Sequence, residues 1–431
     1  MKVRTLLRAS SATRAAPFAL GIVLVYFYFG SGLPPAGTFG HAPALVAWPL
    51  AATAPQAYAV AAALGAWEAG RLAKAEVWQL APSRSRWVIA AQQLAPPVAL
   101  AWAMLILGPL LAFLHFGTWP TIVSLGPLLT GFVLSAGFGI IGFGVGNLLP
   151  PIVAAPLTGL AVFIPVSWSW ASGTWWLRHV SGLFGDVPSF GEAIPLTTLT
   201  PPLLLVAGLA LGTCAFWVRQ APMAVRAPLG AAIALLGTFS AYTWTHDWGP
   251  KPPSTSVNVA LSCAGHRPEV CMPTKTADDL AAVRATTAKV IGDLREAGVK
   301  ITPERVTDSL AEGRDPRPST PDVWHVGLTR ASEAGALPSA LLATAMQPPC
   351  AKPDVLQTRK LMLWGADIIG RGAAYQEWLA KESEPIPANT PQAKQSVLTE
   401  VKNVLDKPTV SQQAWYVETM ASACQKGKGS Q

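Results

Sequence analysis

Four cysteines in the polar half of this chain are the residues best suited to covalent chemistry. The 431-residue sequence contains five cysteines, of which Cys214 lies in an apolar run and the other four, at Cys263, Cys271, Cys350 and Cys424, lie in polar sequence. An even set in one region is typical of disulfides formed in an oxidising compartment. Three pairings are possible, and proximity along the chain favours Cys263–Cys271 and Cys350–Cys424.

The patterns that would indicate an enzyme or a metal site are missing from the sequence. His246, His266 and His325 are scattered, and no HExxH, Cys-x-x-Cys or GxSxG motif occurs. His266, in the turn between two cysteines, could contact a ligand, although a solvent-exposed turn histidine is the favoured interpretation. We therefore expect no catalytic residues, no metal and no directly bound cofactor.

Composition identifies the elements that must position these residues. Hydrophobic residues make up 51% of the chain, charged residues only 13%, and the mean hydropathy is +0.35, values typical of a membrane protein. Residues 1–245 carry 11 Lys and Arg against 4 Asp and Glu, and residues 246–431 carry 21 against 20. The positive excess belongs to the apolar half and favours a lipid bilayer over nucleic acid as the partner.

The apolar half contains seven runs of about 20 residues, the length that crosses a bilayer. The runs cover approximately 16–32, 43–66, 88–114, 121–149, 152–170, 201–218 and 227–244, and none contains a charged residue. Intramembrane carboxylates often mark proton or ion pathways, so their absence argues against a pump that depends on one. The fold class expected is an all-α polytopic membrane protein followed by a mainly helical, disulfide-bridged domain with a small β-hairpin.

Charge in the connections predicts the orientation. Positions 1–15, 67–87 and 219–226 hold four, four and two Lys or Arg, whereas 33–42, 115–120 and 171–200 hold one in total. By the positive-inside rule the first set is cytoplasmic. We therefore expect a cytoplasmic N-terminus, a plasma-membrane domain over 1–245, a linker over 246–255 and an extracytoplasmic domain over 256–431, the compartment that the cysteines also require.

The basic connection between the second and third runs carries a pattern of its own. Glu68, Gly70 and Arg71 precede a stretch of helical spacing, and Pro82, Ser83 and Arg84 follow it. This pattern resembles the coupling helix of type-2 ABC exporter permeases, which rests in a groove of the ATPase. The composition is also similar to that of actinobacterial membrane proteins.

The resemblance implies a transport subunit that pairs with a second permease copy or paralogue and with an ATPase. Because no GxxxxGK[ST] loop occurs in the chain, ATP would act through that separate partner. A seventh span, a large outer domain and the lack of a Gly-Thr that often follows in the family depart from its six-span plan. A membrane-anchored receptor or scaffold whose outer domain binds a ligand is therefore the alternative.

Two further features could position or seal a transport path. Small residues recur at helical spacing in the fourth run, at Gly131, Ser135, Gly139, Gly142 and Gly146, and such stripes let helices approach closely. Packing within the subunit is the favoured interpretation, and a dimer contact or a moving seam is the alternative. The tryptophans at 168–176 indicate an interfacial belt, and the alternative is a re-entrant or surface-lying helix pair at an outer exit.

In the polar half, local patterns predict one strand and four helices. Residues 256–261 alternate as a strand, and helices are expected from Thr276 to Gly298, from Thr390 over 398–405, over 409–424 and over 355–380. A bridge from Cys350 to Cys424 would join the start of this helical unit to its end.

Overall fold

The fold is known from a computed structural model that describes residues 10–79, 84–217, 222–383 and 387–424. The chain is mostly helical and divides into two compact units, Met1–Val257 and Asn258–Gln431. The division falls two residues after the linker predicted at 246–255. Each unit has its own core and is described by itself below.

The first unit contains eight α-helices in its described residues. They are α1 (Ser11–Phe29), α2 (Ala42–Lys74), α3 (Arg86–Phe116), α4 (Gly126–Gly146), α5 (Pro151–Trp168), α6 (Trp175–Val180), α7 (Leu196–Ala215) and α8 (Met223–Thr245). Six of these, all except α2 and α6, are long and apolar enough to cross a membrane by length and composition. The unit is therefore built as a membrane protein.

Helix α2, expected as the second span, is the centre of this unit. It packs against α1, α3, α4 and α5, and 20 of its 33 residues are buried. Alanine is abundant and large aliphatic residues are few in its sequence, so it is less hydrophobic than the other long helices. Small side chains allow four neighbours to approach one helix closely.

Helix α8, unlike the buried α2, has large apolar side chains on its surface. Leu235 and Leu236 are 68% and 66% exposed, as expected of side chains that face lipid.

The segment predicted to be a linker, 246–255, makes contacts with the first unit. Strand β1 (Glu192–Ala193) pairs antiparallel with β2 (Thr255–Ser256). The Thr198 hydroxyl donates to the Pro253 carbonyl at 2.7 Å, and the His179 Nε2 lies 2.9 Å from the Gly249 carbonyl oxygen. The two strands have only two residues each, which is too few to produce a periodic signal in the sequence. The segment from Gly249 to Ser256 is therefore fixed to the first unit.

The tryptophan-rich segment before α7 contains a single six-residue helix, α6, after a short 3₁₀ turn at Ser169–Ala171. Arg178 lies over the Trp170 ring at 3.6 Å from its centroid, and its guanidinium is 3.4 Å from the Asp186 carboxylate. The segment is therefore held together by one cation–π contact and one ion pair. It does not form the pair of helices that the sequence offered as an alternative.

The second unit combines helices with one mixed sheet. Its described strands and helices are β3 (Leu261–Ala264), β4 (Glu269–Pro273), α9 (Leu280–Glu296), β5 (Arg305–Asp308), β6 (Val323–Val326), α10 (Leu328–Glu333), α11 (Leu337–Ala345), α12 (Val355–Ile368), α13 (Gly372–Lys381), α14 (Pro391–Leu405) and α15 (Thr409–Ser422). The sheet order is β3-β4-β5-β6, with β3–β4 antiparallel and the other pairs parallel. The predicted hairpin is thus one half of a four-stranded sheet.

The core of this unit lies between the sheet and the helices. Val306 and Trp324 from the strands pack with Leu294 and Trp364 from the helices, and all four are nearly or fully buried. The predicted strand at 256–261 is replaced by β3, which begins at Leu261. The helix expected over 355–380 is broken into α12 and α13 at Gly370, whose φ of +71° is a left-handed conformation that favours glycine.

Both expected disulfides are present. Cys263 and Cys271 are directly opposite each other on β3 and β4, with Cα atoms 4.1 Å apart, and Cys350 and Cys424 have Cα atoms 5.8 Å apart. The second bridge closes a loop of 74 residues in sequence separation. Chain-entropy arguments assign such a loop about 4–5 kcal/mol of stabilisation.

Candidate docking site

A buried carboxylate anchors the end of α2 to the beginning of α1. The Glu68 side chain is 2% exposed. Its Oε1 accepts hydrogen bonds from the Ser11 backbone N–H at 2.8 Å and from the Ser11 hydroxyl at 2.6 Å, with the Ser10 hydroxyl at 3.5 Å. Ser10 is the N-cap of α1. A carboxylate at a helix N-terminus satisfies free backbone donors and meets the positive end of the helix dipole.

Arg71 links the same carboxylate to the surface. Its Nη1 donates to Glu68 Oε2 at 3.0 Å, and its own side chain is 46% exposed. An ion pair with one solvated partner contributes only about 0–1 kcal/mol. The hydrogen bonds to Ser11 are therefore the stronger part of the anchor, and Arg71 retains a face toward solvent.

The separate amphipathic helix expected to begin at Glu68 is not formed in the described residues 68–79. Helix α2 continues through Glu68, Gly70 and Arg71 to Lys74, and turns follow as far as Gln79, with Glu76 at a φ of +49°. Alanine-rich sequence propagates a helix well, which explains the continuation. Pro82 and Ser83 lie outside the described residues.

Glycine at position 70 allows α2 to touch α5. A Cβ built on Gly70 would lie 2.6 Å from the Pro151 Cβ at the start of α5. The residues that the resemblance assigned to ATPase contact therefore divide into two groups. Glu68 and Gly70 face other helices, whereas Arg71 and Arg84 are exposed; Arg84 donates to the Gln92 side chain at 3.2 Å.

An aromatic cluster supports the connection from within. Trp78 packs against a small core built around Ala90, Leu94 and Phe143, and the Arg86 guanidinium lies 5.4 Å from the centre of the Trp78 ring. The connection is therefore held to the helix bundle by its apolar residues while its basic residues remain accessible.

The small-residue stripe of α4 packs within the chain. A Cβ on Gly142 or Gly146 would lie 2.0 or 2.1 Å from the carbonyl oxygen of Ala62 or Ala66 on α2. Gly139 also faces α2, near the Ala61 carbonyl, Gly131 lies beside Leu105 of α3, and the Ser135 hydroxyl donates to the Phe132 carbonyl at 2.9 Å. Gly139, Gly142 and Gly146 thus bring the α4 and α2 backbones into contact.

The second unit contains a feature that no sequence motif indicated. A cleft of about 800 Å³ lies among α11, α12 and α13. Its lining comes from residues spread over 339–382, most of them apolar, so it exists only once these helices have packed. A volume of this order is typical of small-molecule sites.

One group of potential metal ligands lies on the β3–β4 hairpin. Cys263, Glu269 and Cys271 offer ligand atoms within 4.8 Å of one another. The two sulfurs are bonded to each other, so they are not available as thiolates. The cluster is therefore best described as a bridged hairpin beside a carboxylate.

Comparison with known proteins identified no relative. No protein-family model, no curated protein and no solved structure matches this chain.

Proposed function

We propose that the chain is the membrane-embedded subunit of an ATP-driven exporter and that a separate ATPase docks on the connection between α2 and α3. The observation that carries the proposal is the division of this connection into anchored and accessible residues. Arg71, Lys74 and Arg84 are exposed, whereas Glu68 is buried and fixed to α1. A basic, accessible surface on a rigid base suits a soluble partner with an acidic groove.

Packing at the base supports transmission of movement. The last turns of α2 contact α1 through Glu68, α5 through Gly70 and α4 through the close approach of Ala66 to Gly146. Tightly packed interiors transmit displacement because they have few voids to absorb it. A force applied to the connection would therefore reach α2 and these three neighbouring helices together.

The proposed topology places the connection in the cytoplasm of a plasma-membrane protein. Counting α2 with the six strongly apolar helices gives seven spans, and the Lys- and Arg-rich connections then face inward by the positive-inside rule. The second unit is extracytoplasmic in this arrangement, where its two disulfides are stable. A second copy or a paralogue completes the exporter.

Charge reversal of the accessible residues tests the docking proposal. We expect Lys74→Glu combined with Arg84→Glu to reduce the ATPase that co-purifies with the full chain by about tenfold or more, since like charges would oppose an acidic groove. Glu68 is unsuitable for such a test because its substitution would disturb the fold. The measurement is quantitative mass spectrometry of the complex in mild detergent, together with its rate of ATP hydrolysis.

Lys251→Glu combined with Lys300→Glu is a matched control, since both lysines are exposed and lie on the proposed outer side. This control should retain the ATPase. Equal recovery of an ATPase from both double variants would contradict docking at the connection.

A second candidate function is favoured by the cleft of the second unit. A membrane-anchored receptor or scaffold would need a ligand-sized site outside the helix bundle, and the cleft has that size. The two candidates differ in their partners. Purification of the intact chain without any ATPase would favour the receptor.

A further inference from the structure

The cleft among α11, α12 and α13 has an apolar interior. Leu342 from α11, Met346 directly after it and Ala366 from α12 form part of its lining and belong to the buried core. At its edges Val355 and Trp378 are 47% and 48% exposed. Large apolar side chains gathered at the mouth of a concave surface are typical of a binding site for an apolar ligand.

Two guanidinium groups interrupt this apolar lining. Arg359 is 7% exposed and is held in place by hydrogen bonds to the Ala388 carbonyl oxygen at 2.5 Å and to the Asn389 Oδ1 at 2.6 Å. A guanidinium has five N–H donors in a fixed plane. The two bonds fix its orientation and leave further donors for another acceptor.

Arg371 offers the clearer opportunity for a ligand. Its Nη2 donates to the Gly335 carbonyl at 3.0 Å, while its Nε is buried and has no hydrogen-bond partner among the described residues. A guanidinium has five N–H donors, so Arg371, which lines the cleft, keeps further Nη donors for an anionic group there.

The remaining polar residues of the lining suit the same ligand. Tyr375 also lines the cleft and, like any tyrosine at physiological pH, is a neutral phenol that can donate a hydrogen bond; burial raises its pKa further, to about 12, against an opposing effect of the Arg359 charge. Glu382 is the single acidic residue among the described lining residues. Two cations against one anion give the cleft a net positive charge.

We propose that this cleft binds an amphiphile with one anionic headgroup, its apolar chain lying along the α11 and α12 side and its headgroup meeting Arg359 and Arg371. A carboxylate or a phosphate satisfies the chemistry, because a guanidinium pairs with either in a two-point geometry. The proposal does not depend on transport, since it concerns the second unit alone.

Photolabelling of the full chain tests this inference. The chain in phosphatidylcholine nanodiscs is exposed to dodecanoate that carries a diazirine on its terminal carbon, and labelled peptides are mapped by mass spectrometry. We expect labelling within 337–383, and about tenfold less labelling there by the corresponding alcohol, which has no charge to meet the guanidinium groups. Competition by unlabelled dodecanoate and by dodecyl phosphate shows which headgroup is preferred.

Two neighbouring alanines on α13 supply a matched pair of variants. Ala373 and Ala374 are both exposed, and only Ala374 lines the cleft. Ala374→Trp should therefore reduce labelling within 337–383 by about tenfold, and Ala373→Trp should leave it unchanged. Arg371→Gln should reduce labelling by the carboxylate and leave labelling by the alcohol unchanged.

Three results would overturn the inference. They are labelling confined to the membrane helices, equal labelling of the two tryptophan variants, and equal labelling of the wild-type cleft by the carboxylate and the alcohol. The comparison of two headgroups uses unaltered protein, so it remains decisive even if a variant fails to fold.

Discussion

Removal of the Glu68 carboxylate tests whether the end of α2 is anchored as the structure indicates. Glu68→Ala leaves the partly buried Ser11 backbone N–H without its acceptor at 2.8 Å, at a cost of about 1–3 kcal/mol. Loss of the one buried methylene group, Cγ, together with the cavity left behind, adds about 1–2 kcal/mol. Together these give roughly 2–5 kcal/mol, and for a unit of this size each kcal/mol lowers the midpoint by about 2–4 °C.

We therefore expect Glu68→Ala to lower the thermal unfolding midpoint of the purified full chain by roughly 5–15 °C. Intrinsic tryptophan fluorescence during heating in detergent provides the measurement. Glu68→Gln keeps the shape and one acceptor oxygen, so its effect should be about one-third to one-half as large.

The matched control is Glu76→Gln, which removes the same charge from an exposed position eight residues further along. It should change stability by no more than about 0.5 kcal/mol. If Glu68→Ala lowered the midpoint no more than Glu76→Gln does, the anchoring role assigned to this carboxylate would be refuted.

Three further predictions concern helix contact, a disulfide and pH. Gly142→Ala should destabilise the first unit by about 1–3 kcal/mol or more, because its Cβ would meet the Ala62 carbonyl. The control Gly21→Ala, with no atom within 4 Å of its Cβ, should be neutral or slightly stabilising. Equal thermal unfolding midpoints of the two variants would count against close α2–α4 packing. Replacement of Cys350 and Cys424 by serine should cost up to about 4–5 kcal/mol, more than the same change at Cys263 and Cys271, as measured by denaturant unfolding; the reverse order would contradict the loop-length argument. Burial raises the pKa of Asp367, so the folded chain keeps this proton to higher pH than the unfolded chain. The stabilisation of the folded chain by this protonated carboxyl is fully present below the ordinary carboxyl pKa, and it is lost as pH rises through the pKa of the folded chain. The wild type should accordingly lose stability relative to Asp367→Asn as pH rises above the ordinary carboxyl pKa of about 4, and a relative gain would contradict the assignment.

Local features of the chain could be predicted from sequence because their causes are local. The pairing of Cys263 with Cys271 follows from an eight-residue separation, and Thr390 caps α14 as expected, accepting a hydrogen bond from the Ala393 N–H at 3.3 Å. The long apolar runs and the small-residue spacing of α4 could equally be predicted from the sequence. Each of these signals lies within one element or one turn.

Other features depend on contacts between distant segments. Strand β5 has only four residues, Arg305–Asp308, too few to show an alternation, and the parallel pairing of β4 with β5 forms across the whole of α9. Glu68 appears in sequence as one more charge in a polar connection, and its burial arises only because Ser10 and Ser11, 58 and 57 residues earlier, reach it. The cleft has no sequence signature for the same reason.

Contact between the basic connection and an ATPase is the central claim, and cross-linking at Lys74 tests it most directly. Lys74 is exposed and carries the primary amine of the described connection. An amine-reactive cross-linker applied to native membranes, followed by purification in mild detergent and mass spectrometry, should join Lys74 to a lysine of an ATPase. Recovery of Lys74 cross-linked only within its own chain, with no ATPase in the purified sample, would contradict the proposed function.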